Sequence, residues 1–323
     1  MDHLNDMTPT RAMRPESPTV KRKHPWRWVS AAVILSLFAA VIHALANAKS
    51  DWGSVAGYIV HPIFLAAAWN TVLLAVVAQS FAILLGIVIA IMRLSVNPVA
   101  VASASFFIWI FRGVPVLLQI LVWYNLALII ERITIAVPFT GIVLFDESTN
   151  TVMTPFFAAF LGLALNEAAY MAEIVRGGIK SVDAGQVEAA SALAMSPGRT
   201  MFRIVLPQAL RVIVPPTGNN FINLMKTTSL ASTITYLELL RAAQNIAAVN
   251  LQVMETLFAA AFWYMVLVSI TSTGQYFLER SLDSSLSRKA PISIRTIVRK
   301  AIAPPFKRDL SEPPASPKTE VQR

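Results

Sequence analysis

The sequence has no cysteine among its 323 residues and only four scattered histidines. The absence of cysteine excludes disulfide bonds, thiolate metal ligands and cysteine nucleophiles. Isolated histidines offer no ligand cluster, so no metal site is expected. The sequence also lacks the GxxxxGK[ST] loop that binds nucleotide phosphates, so the chain itself is not expected to bind ATP. These absences leave few ways to build an enzyme.

Charged residues are scarce and apolar residues are abundant. Lys, Arg, Asp and Glu make up 14% of the chain, whereas soluble domains carry about 25%. Hydrophobic residues reach 55% and the mean hydropathy is +0.59. Several runs attain the roughly 18–20 apolar residues that cross a bilayer, so the composition predicts an all-α polytopic membrane bundle with about six spans. The expected spans cover residues 29–48, 64–92, 114–130 and 155–175, a broken segment that ends near 236, and 257–277.

The positive charge is concentrated at the two ends of the chain. Six Lys and Arg residues precede Trp28 and ten follow from Arg280 onward, whereas the expected external loops carry only a few. Positive charge beside a span marks its cytoplasmic side, so both termini are expected in the cytoplasm. A nucleic-acid role is disfavoured because no folded basic surface accompanies these tails. We therefore divide the chain into a disordered basic tail (1–27), a first span with an external loop (28–63), a transmembrane domain (64–282) and a second disordered basic tail (283–323).

Two places along the chain allow a second interpretation. The small residues at 44–48 resemble a signal-peptide cleavage site, although the apolar run before them is longer than the usual core of about 7–15 residues. The sequence FRGVP at 111–115 interrupts another apolar run. Either an interfacial helix ends near Phe111 and a new span starts at Val114, or one kinked helix buries Arg112. We favour the first, because burying an unpaired arginine in a membrane is costly.

The segment between the fourth and fifth expected spans is more regular than a connecting loop requires. Asp183 can cap a helix that runs to about Met195, and Ser196-Pro197 supplies an N-cap and a first helical residue for another. The second helix carries a broad apolar face opposite recurring arginines and is expected to be interrupted at Pro207. The pattern predicts a cytoplasmic helical hairpin that docks onto a partner, or an amphipathic hairpin that lies on lipid headgroups.

This segment resembles the EAA loop of binding-protein-dependent ABC importer permeases. The family pattern is Glu-Ala-Ala, three residues, Gly, nine residues, Ile, one residue and Leu-Pro. Here Ala194 stands where the family has glycine, with Gly198 four residues later. Because the family's loop docks into a groove on the ATPase subunit, the resemblance implies an ATPase-coupling role for ten residues. They are Gly185, Glu188, Ala189, Ala190, Ala194, Ser196, Gly198, Ile204, Leu206 and Pro207.

Over roughly residues 69–282, apart from 133–153, the chain resembles the polar amino acid uptake permeases. The matching stretches include FRGVPVLLQILVWY, AAYMAEIVRGGIKSVDAGQVEAA, LPQALRVIVPPTGNNFINLMKTTSL and ELLRAAQ. The resemblance implies a MetI-like transmembrane fold and a permease subunit of the bacterial inner membrane that binds no cofactor. The implied partners are a separate ATPase that binds ATP and Mg²⁺, an extracytoplasmic amino acid-binding protein, and a second permease copy or a homologue. ATP binding would move the coupling hairpin and switch pore access between the two faces.

Polar residues within the expected spans are candidates for the substrate pathway. The stretch at 215–232 holds two prolines and a glycine that we expect to break the helix, and broken helices often form substrate sites in transporters. An amino acid needs a cationic partner for its carboxylate and an acceptor for its ammonium. Lys226 and Glu167 can supply these, or can pair with each other, and the amide residues can equally make interhelical hydrogen bonds. The candidates are Glu167, Lys226, Thr227, Thr228, Ser229, Asn219 and Gln119.

An ATP-driven amino acid importer is therefore the favoured function, and an ion-coupled secondary amino acid transporter is the alternative. The alternative should show internal repeats with paired broken helices, whereas one broken segment is expected here. A membrane-embedded enzyme would need a nucleophile–base or metal constellation, which the sequence does not offer. Near the cytoplasmic side, Glu173 and Arg176 lie one turn apart and are expected to form a helix-end salt bridge. The sequence does not name the amino acid.

Overall fold

The computed structural model describes residues 26–47, 50–140 and 142–283, so the two predicted disordered tails lie almost wholly outside the described residues. Helices dominate the described part, as the composition predicts. They are α1 (Trp26–Ala46), α2 (Trp52–Ile59), α3 (Pro62–Leu94), α4 (Pro98–Gly113), α5 (Val116–Tyr124), α6 (Thr149–Val152), α7 (Pro155–Lys180), α8 (Ala184–Ala192), α9 (Pro197–Thr200), α10 (Leu206–Thr227), α11 (Leu239–Asn250) and α12 (Val253–Asp283). By its internal contacts, α1 belongs to a separate unit from the one that begins at Gly53.

Three of the longer helices begin with the same short signal, a polar N-cap residue followed by proline. The side chain of the N-cap residue accepts a hydrogen bond from a backbone N–H of the first turn, which has no partner within the helix. Proline fits the next position because its fixed φ suits a helix and its missing N–H is not needed there. The three pairs are His61-Pro62 at α3, Asn97-Pro98 at α4 and Thr154-Pro155 at α7.

By length and composition, three described helices can cross a membrane: α3, α7 and α12. The pair α4 and α5 passes the same test together and can form a fourth span. The remaining two predicted crossings fall on α1 and on α10. The apolar part of α1 covers Trp28–Ala44. Both crossings stay predictions. The apolar part of α1 is shorter than the length required of a span, and α10 is too polar to be recognised as a span by composition.

The central helix is α7, which packs against α3, α4, α5 and α10. Its buried face is lined with small residues that let neighbouring backbones approach closely. On the α3 side, Gly86 meets this face so tightly that an added Cβ would lie 2.5 Å from the Cβ of Met171 and 3.1 Å from the carbonyl oxygen of Ala168. The small buried residues of α7 are Ala158, Ala159, Gly162, Ala164, Ala168, Ala169, Ala172 and Gly178.

We expect Gly86→Ala to destabilise the protein by about 1–3 kcal/mol, because overpacking a tight core forces the two helices apart. The measurement is the thermal unfolding midpoint of the purified protein in detergent. Gly177→Ala on α7 is the matched control, since a Cβ there meets nothing within 4 Å. Equal midpoints for the two variants would contradict this account of the α3–α7 contact.

The region around FRGVP forms two helices and not one kinked helix, which agrees with that part of the favoured interpretation; the interfacial position of the first helix stays a prediction. The helix α4 ends at Gly113, α5 begins at Val116, and the two axes are bent by 99°. Pro115 lies four residues after Phe111, so the carbonyl of Phe111 cannot receive the usual helical N–H at this point. The second helix is shorter than the predicted span, because it ends at Tyr124 and is followed by a 3₁₀ turn at Leu126–Leu128.

The predicted break at residues 215–218 is wrong, since α10 is helical from Leu206 to Thr227 and contains both Pro215 and Pro216. Each proline removes an N–H from the helical ladder, but α10 is held between α7 and α12, and this packing keeps the helix on its path. The α-helix ends at Thr227, and a 3₁₀ helix follows from Thr228 to Ile234. Similarly, Pro207 does not interrupt the helical run, because a π-helical turn at Met201–Val205 precedes it.

The predicted loop after α5 contains a β-hairpin. Strand β1 (Arg132–Ala136) pairs antiparallel with β2 (Val143–Ser148), with an irregularity at Ile135/Ala136. At the base of the hairpin, the Asp146 carboxylate accepts hydrogen bonds of 2.8 Å from Arg132 and from Thr134. The hydrogen bond from Arg132, followed by that from Thr134, holds the pKa of Asp146 below its usual range. The hairpin is thus fastened by polar contacts on one side.

Candidate functional site

A cavity of about 220 Å³ lies between α5, α7 and α10. Its wall combines apolar side chains with one carboxylate, three amides, one phenol and one hydroxyl, which is the mixture expected of a small-molecule site. Its lining residues are Val116, Leu163, Asn166, Glu167, Tyr170, Asn220, Asn223, Leu224 and Thr227.

Glu167 is the charged residue of this lining, and it is 8% exposed. Its carboxylate oxygen Oε1 accepts a hydrogen bond of 2.9 Å from the side-chain amide of Asn220. Because Glu167 lies on α7 and Asn220 on α10, this bond joins the two helices across the cavity. A buried carboxylate is costly unless it is paired with a cation or with hydrogen-bond donors. The cavity therefore suits a ligand that carries a cationic group.

Two side-chain amides stabilise the bend between α4 and α5. The carbonyl oxygen of Phe111 receives no backbone hydrogen bond from Pro115, which lacks an N–H. It accepts hydrogen bonds from Asn166 Nδ2 at 2.5 Å and from Gln119 Nε2 at 3.0 Å instead. Gln119 also donates to the carbonyl of Val114 at 2.8 Å. Gln119 was predicted to line the pathway, but it is buried behind the cavity wall and serves the bend. Asn166 does both, since it also lines the cavity.

A cation lies against the aromatic residue of the lining. The guanidinium carbon of Arg112 is 4.8 Å from the ring centroid of Tyr170, a distance at which the ring quadrupole attracts a positive charge. Arg112 itself is exposed. This agrees with the favoured interpretation of the FRGVP sequence, in which Arg112 is not buried. The arrangement brings one positive and one negative side chain to the residues around the cavity.

The structure brings together only part of the predicted pathway. Glu167 and Thr227 line the cavity, whereas Lys226, Thr228, Ser229, Asn219 and Gln119 do not. Lys226 is exposed, and no ion pair joins it to Glu167 among the described residues. The final list of sequence-based candidates left out Tyr170, Asn220 and Asn223, which line the wall, although both asparagines lie in the polar stretch at 215–232. Helical spacing could have identified the last two, because Asn220, Asn223 and Thr227 share one face of a continuous α10.

The predicted ion pair on α7 is confirmed. Arg176 Nη2 and Glu173 Oε2 are 2.6 Å apart, three residues along the helix. Both side chains are about a quarter exposed. Neither residue of the pair lines the cavity. The pair therefore neutralises two charges near the C-terminal end of α7 and does not contact the cavity.

The segment from Asp183 to Pro207 forms two helical pieces around a sharp turn, as predicted. Asp183 occupies the N-cap position of the first piece, α8, but its carboxylate makes no capping hydrogen bond, and the helix ends at Ala192, before the predicted Met195. Ser196 then occupies the N-cap of α9 and Pro197 its first helical position. From Pro197 the chain is helical through α9, the π-helical turn and α10 without interruption. We call residues 183–207 the coupling segment.

Ala194 takes the backbone conformation that explains why the related pattern has glycine there. Its φ is 54°, in the left-handed region. The Ala194 N–H bonds to the Ser191 carbonyl and the Met195 N–H to the Ala190 carbonyl, each at 3.0 Å. These two bonds form the Schellman motif, in which the residue after the C-cap is usually glycine. The turn geometry is thus kept in spite of the alanine.

Ala194→Gly should stabilise the protein by about 1 kcal/mol, because the left-handed conformation costs an alanine roughly 1–2 kcal/mol. The unfolding midpoint in detergent is expected to rise. Ala189→Gly in the middle of α8 is the matched control, and it should lower the midpoint, since glycine costs about 1 kcal/mol in a helix interior. A lower midpoint for Ala194→Gly would argue against the strained turn.

The coupling segment exposes large apolar side chains as well as charge. Leu193 is 78% exposed and Phe202 72% exposed, with Val187 and Met201 also at the surface. Glu188 is exposed on α8. Exposed apolar residues within a polar rim mark an interaction site.

Comparisons with known proteins now identify the family. The family model for binding-protein-dependent transport system inner membrane components matches residues 82–284. The chain belongs to this family. The matched range includes the whole coupling segment and every lining residue of the cavity.

Curated relatives of this inner membrane component include the arginine transport system permease protein ArgU of Corynebacterium glutamicum. It is 41% identical over 268 residues, which cover 82% of this chain and 83% of the relative. The L-cystine transport system permease protein TcyB of Bacillus subtilis is 34% identical, covering 70% of this chain and 89% of the relative. The nopaline transport system permease protein NocM of Agrobacterium fabrum is 33% identical, covering 73% and 95%.

Solved structures show the same fold. An amino acid ABC transporter crystallised with histidines has a TM-score of 0.62 and 31% identity, covering 72% of this chain and 100% of that chain. The MetNI methionine ABC transporter, at 18% identity and a TM-score of 0.53 over 68% of this chain and 96% of that one, supports the fold alone. The MetI-like all-α prediction is confirmed. The protein is a multi-pass permease subunit of an ABC transporter and not an enzyme, since ATP hydrolysis in this family belongs to a separate subunit.

Proposed function

We propose that this permease subunit moves a polar or charged amino acid into the cell, driven by a separate ATPase that binds ATP and Mg²⁺. The observation that carries the proposal is the uninterrupted helical run from Pro197 to Thr227. Its first part belongs to the exposed coupling segment, and its last part lines the cavity. An event at the coupling segment therefore has a continuous helical route to the site, over roughly 30 Å of α10.

The cavity supports an amino acid as the ligand. Glu167 can accept the α-ammonium group or a cationic side chain, and burial strengthens that attraction because the local dielectric is low. Arg112 is not a lining residue, but it lies over the ring of the lining residue Tyr170, and this proximity supports it as the partner of the substrate carboxylate. Hydroxyl and amide groups of Thr227, Asn223 and Asn166 supply neutral partners. The relatives named for arginine, cystine and nopaline transport are consistent with this class of ligand.

The proposed assembly contains two permeases, either two copies of this chain or this chain and a homologue. Two ATPases dock on the coupling segments at the cytoplasmic face, and an extracytoplasmic amino acid-binding protein delivers the substrate at the other. Both termini of this chain lie in the cytoplasm, which the positive charge at its two ends favours. Closure of the ATPases on ATP moves the coupling segments, and α10 transmits the motion to the cavity.

The test is ATP hydrolysis by the assembled complex in lipid nanodiscs. Binding protein loaded with its amino acid should stimulate hydrolysis several-fold over the unloaded protein, across a panel of candidate amino acids. An ATPase that fails to associate with this permease, or a rate that no amino acid alters, would contradict the proposal.

A further inference from the structure

The middle of α10 is a weak point in the route from the coupling segment to the cavity. Pro215 and Pro216 cannot donate the backbone N–H that an α-helix uses, so two bonds of the helical ladder are missing there. A helix that lacks such bonds bends easily unless its neighbours hold it. The structure therefore needs a contact that keeps residues 215–219 in place.

Gln275 of α12 makes that contact. Its side-chain nitrogen donates to the carbonyl oxygen of Pro215 at 3.2 Å and lies 3.2 Å from Asn219 Oδ1. On its own helix the same nitrogen donates to Glu279 Oε1 at 2.7 Å, which orients the amide. All three neighbours are acceptors, so the nitrogen is the atom that faces α10.

Gly218 provides the space for this amide. A Cβ at Gly218 would lie 2.7 Å from Gln275 Cδ and 3.0 Å from its Nε2. Any larger residue would displace the end of a flexible side chain and leave the backbone of both helices where it is. The glycine in the PPTG stretch thus has a packing role that the predicted helix break did not suggest.

We propose that Gln275 is a positioning residue for transport, which fastens the double-proline segment of α10 to α12 so that motion of the coupling segment reaches the cavity. The inference rests on the proposed function. Without the contact, α10 absorbs the motion as a bend at Pro215. Asn220 immediately follows the fastened segment and bonds to Glu167. A bend at Pro215 would therefore keep the motion of the coupling segment from reaching the cavity.

The experiment compares Gln275→Leu and Gly218→Ala with Thr273→Val in proteoliposomes that hold the permease, the ATPase and the loaded binding protein. Thr273 is the matched control on α12, since within the described part of the chain its hydroxyl bonds only to its own helix, at the carbonyl of Ser269. The readout is the number of ATP molecules hydrolysed per amino acid transported. We expect this ratio to rise about three- to tenfold in the first two variants. The control should keep the wild-type ratio, and all three should reach normal abundance.

The two substitutions act on one contact, so the double variant should be no worse than either single variant. A wild-type ratio in Gln275→Leu at normal abundance overturns the inference, and so does strict additivity in the double variant.

A second readout does not need transport. Because the natural chain has no cysteine, spin labels can be placed at Leu210→Cys on α10 and Ile270→Cys on α12, both exposed. The distribution of label distances in nanodiscs should broaden when Gln275→Leu is added. An unchanged distribution overturns the inference, whereas a broadened one in a complex that moves no amino acid supports the contact and contradicts only the proposed function.

Discussion

In the Glu188→Arg variant, ATP-driven amino acid uptake is expected to fall about tenfold or more, because the substitution weakens docking of the ATPase. Glu188 is exposed on α8, next to the exposed apolar residues of the coupling segment. Reversing a charge in an interface places like charges together or leaves a partner charge unpaired, and both are costly. The measurement is uptake into proteoliposomes, with association of the ATPase followed in parallel.

The control for this prediction is Gln186→Arg. It adds the same side chain to the same helix two residues earlier, about 200° around the axis. Since both positions are exposed, neither substitution should alter membrane insertion or folding. Wild-type uptake in Glu188→Arg would count decisively against a coupling role, and an equal loss in both variants would show that any added cation suffices.

The second large effect is expected at the cavity, where Glu167→Gln should lower uptake about tenfold or more. The glutamine keeps the volume, and its amide oxygen can still accept the hydrogen bond from Asn220. What it removes is the negative charge, which is the partner that an ammonium or guanidinium group requires in a low-dielectric site. ATPase docking should be unchanged, so the measured defect should appear in uptake and in stimulation of hydrolysis by loaded binding protein.

Lys226→Ala is the matched comparison for the cavity. The sequence alone places Lys226 among the substrate candidates, whereas the structure leaves it exposed and outside the lining. We expect its uptake to stay within about twofold of wild type, as is usual for an exposed position away from special contacts. A severe loss in Lys226→Ala together with normal uptake in Glu167→Gln would move the substrate site away from this cavity.

The parts of the fold that local sequence signals determine were predictable. A polar N-cap followed by proline set the starts of α3, α4 and α7. The same signal at Ser196-Pro197 set the turn of the coupling segment. The bend at FRGVP was also predictable, because Pro115 removes a helical donor wherever the segment lies.

The course of α10 was not predictable, because it depends on contacts that are distant in sequence. Gln275 lies 60 residues beyond Pro215, and no local pattern shows that its amide holds the double-proline segment. Because we predicted a break in this helix, we did not apply helical spacing to the residues that line the cavity. On a continuous helix Lys226 lies about 100° from Thr227 and belongs to another face.

The roles of the amide residues were likewise open in the sequence. Gln119 could have faced a passage or another backbone, and the structure assigns it to the carbonyls of Phe111 and Val114. Asn166 joins the same carbonyl and also reaches the cavity wall. Such choices depend on where a bend leaves a carbonyl without a donor, which only the three-dimensional arrangement reveals.

The central claim is that this permease moves an amino acid with energy from a separate ATPase. The most direct test is uptake of a labelled amino acid into proteoliposomes that contain the permease, the ATPase and the binding protein, with an ionophore present to collapse ion gradients. We predict uptake that requires hydrolysable ATP on the ATPase side and is unaffected by the ionophore. Uptake that proceeds without ATP and disappears when the ion gradient is collapsed would contradict the account.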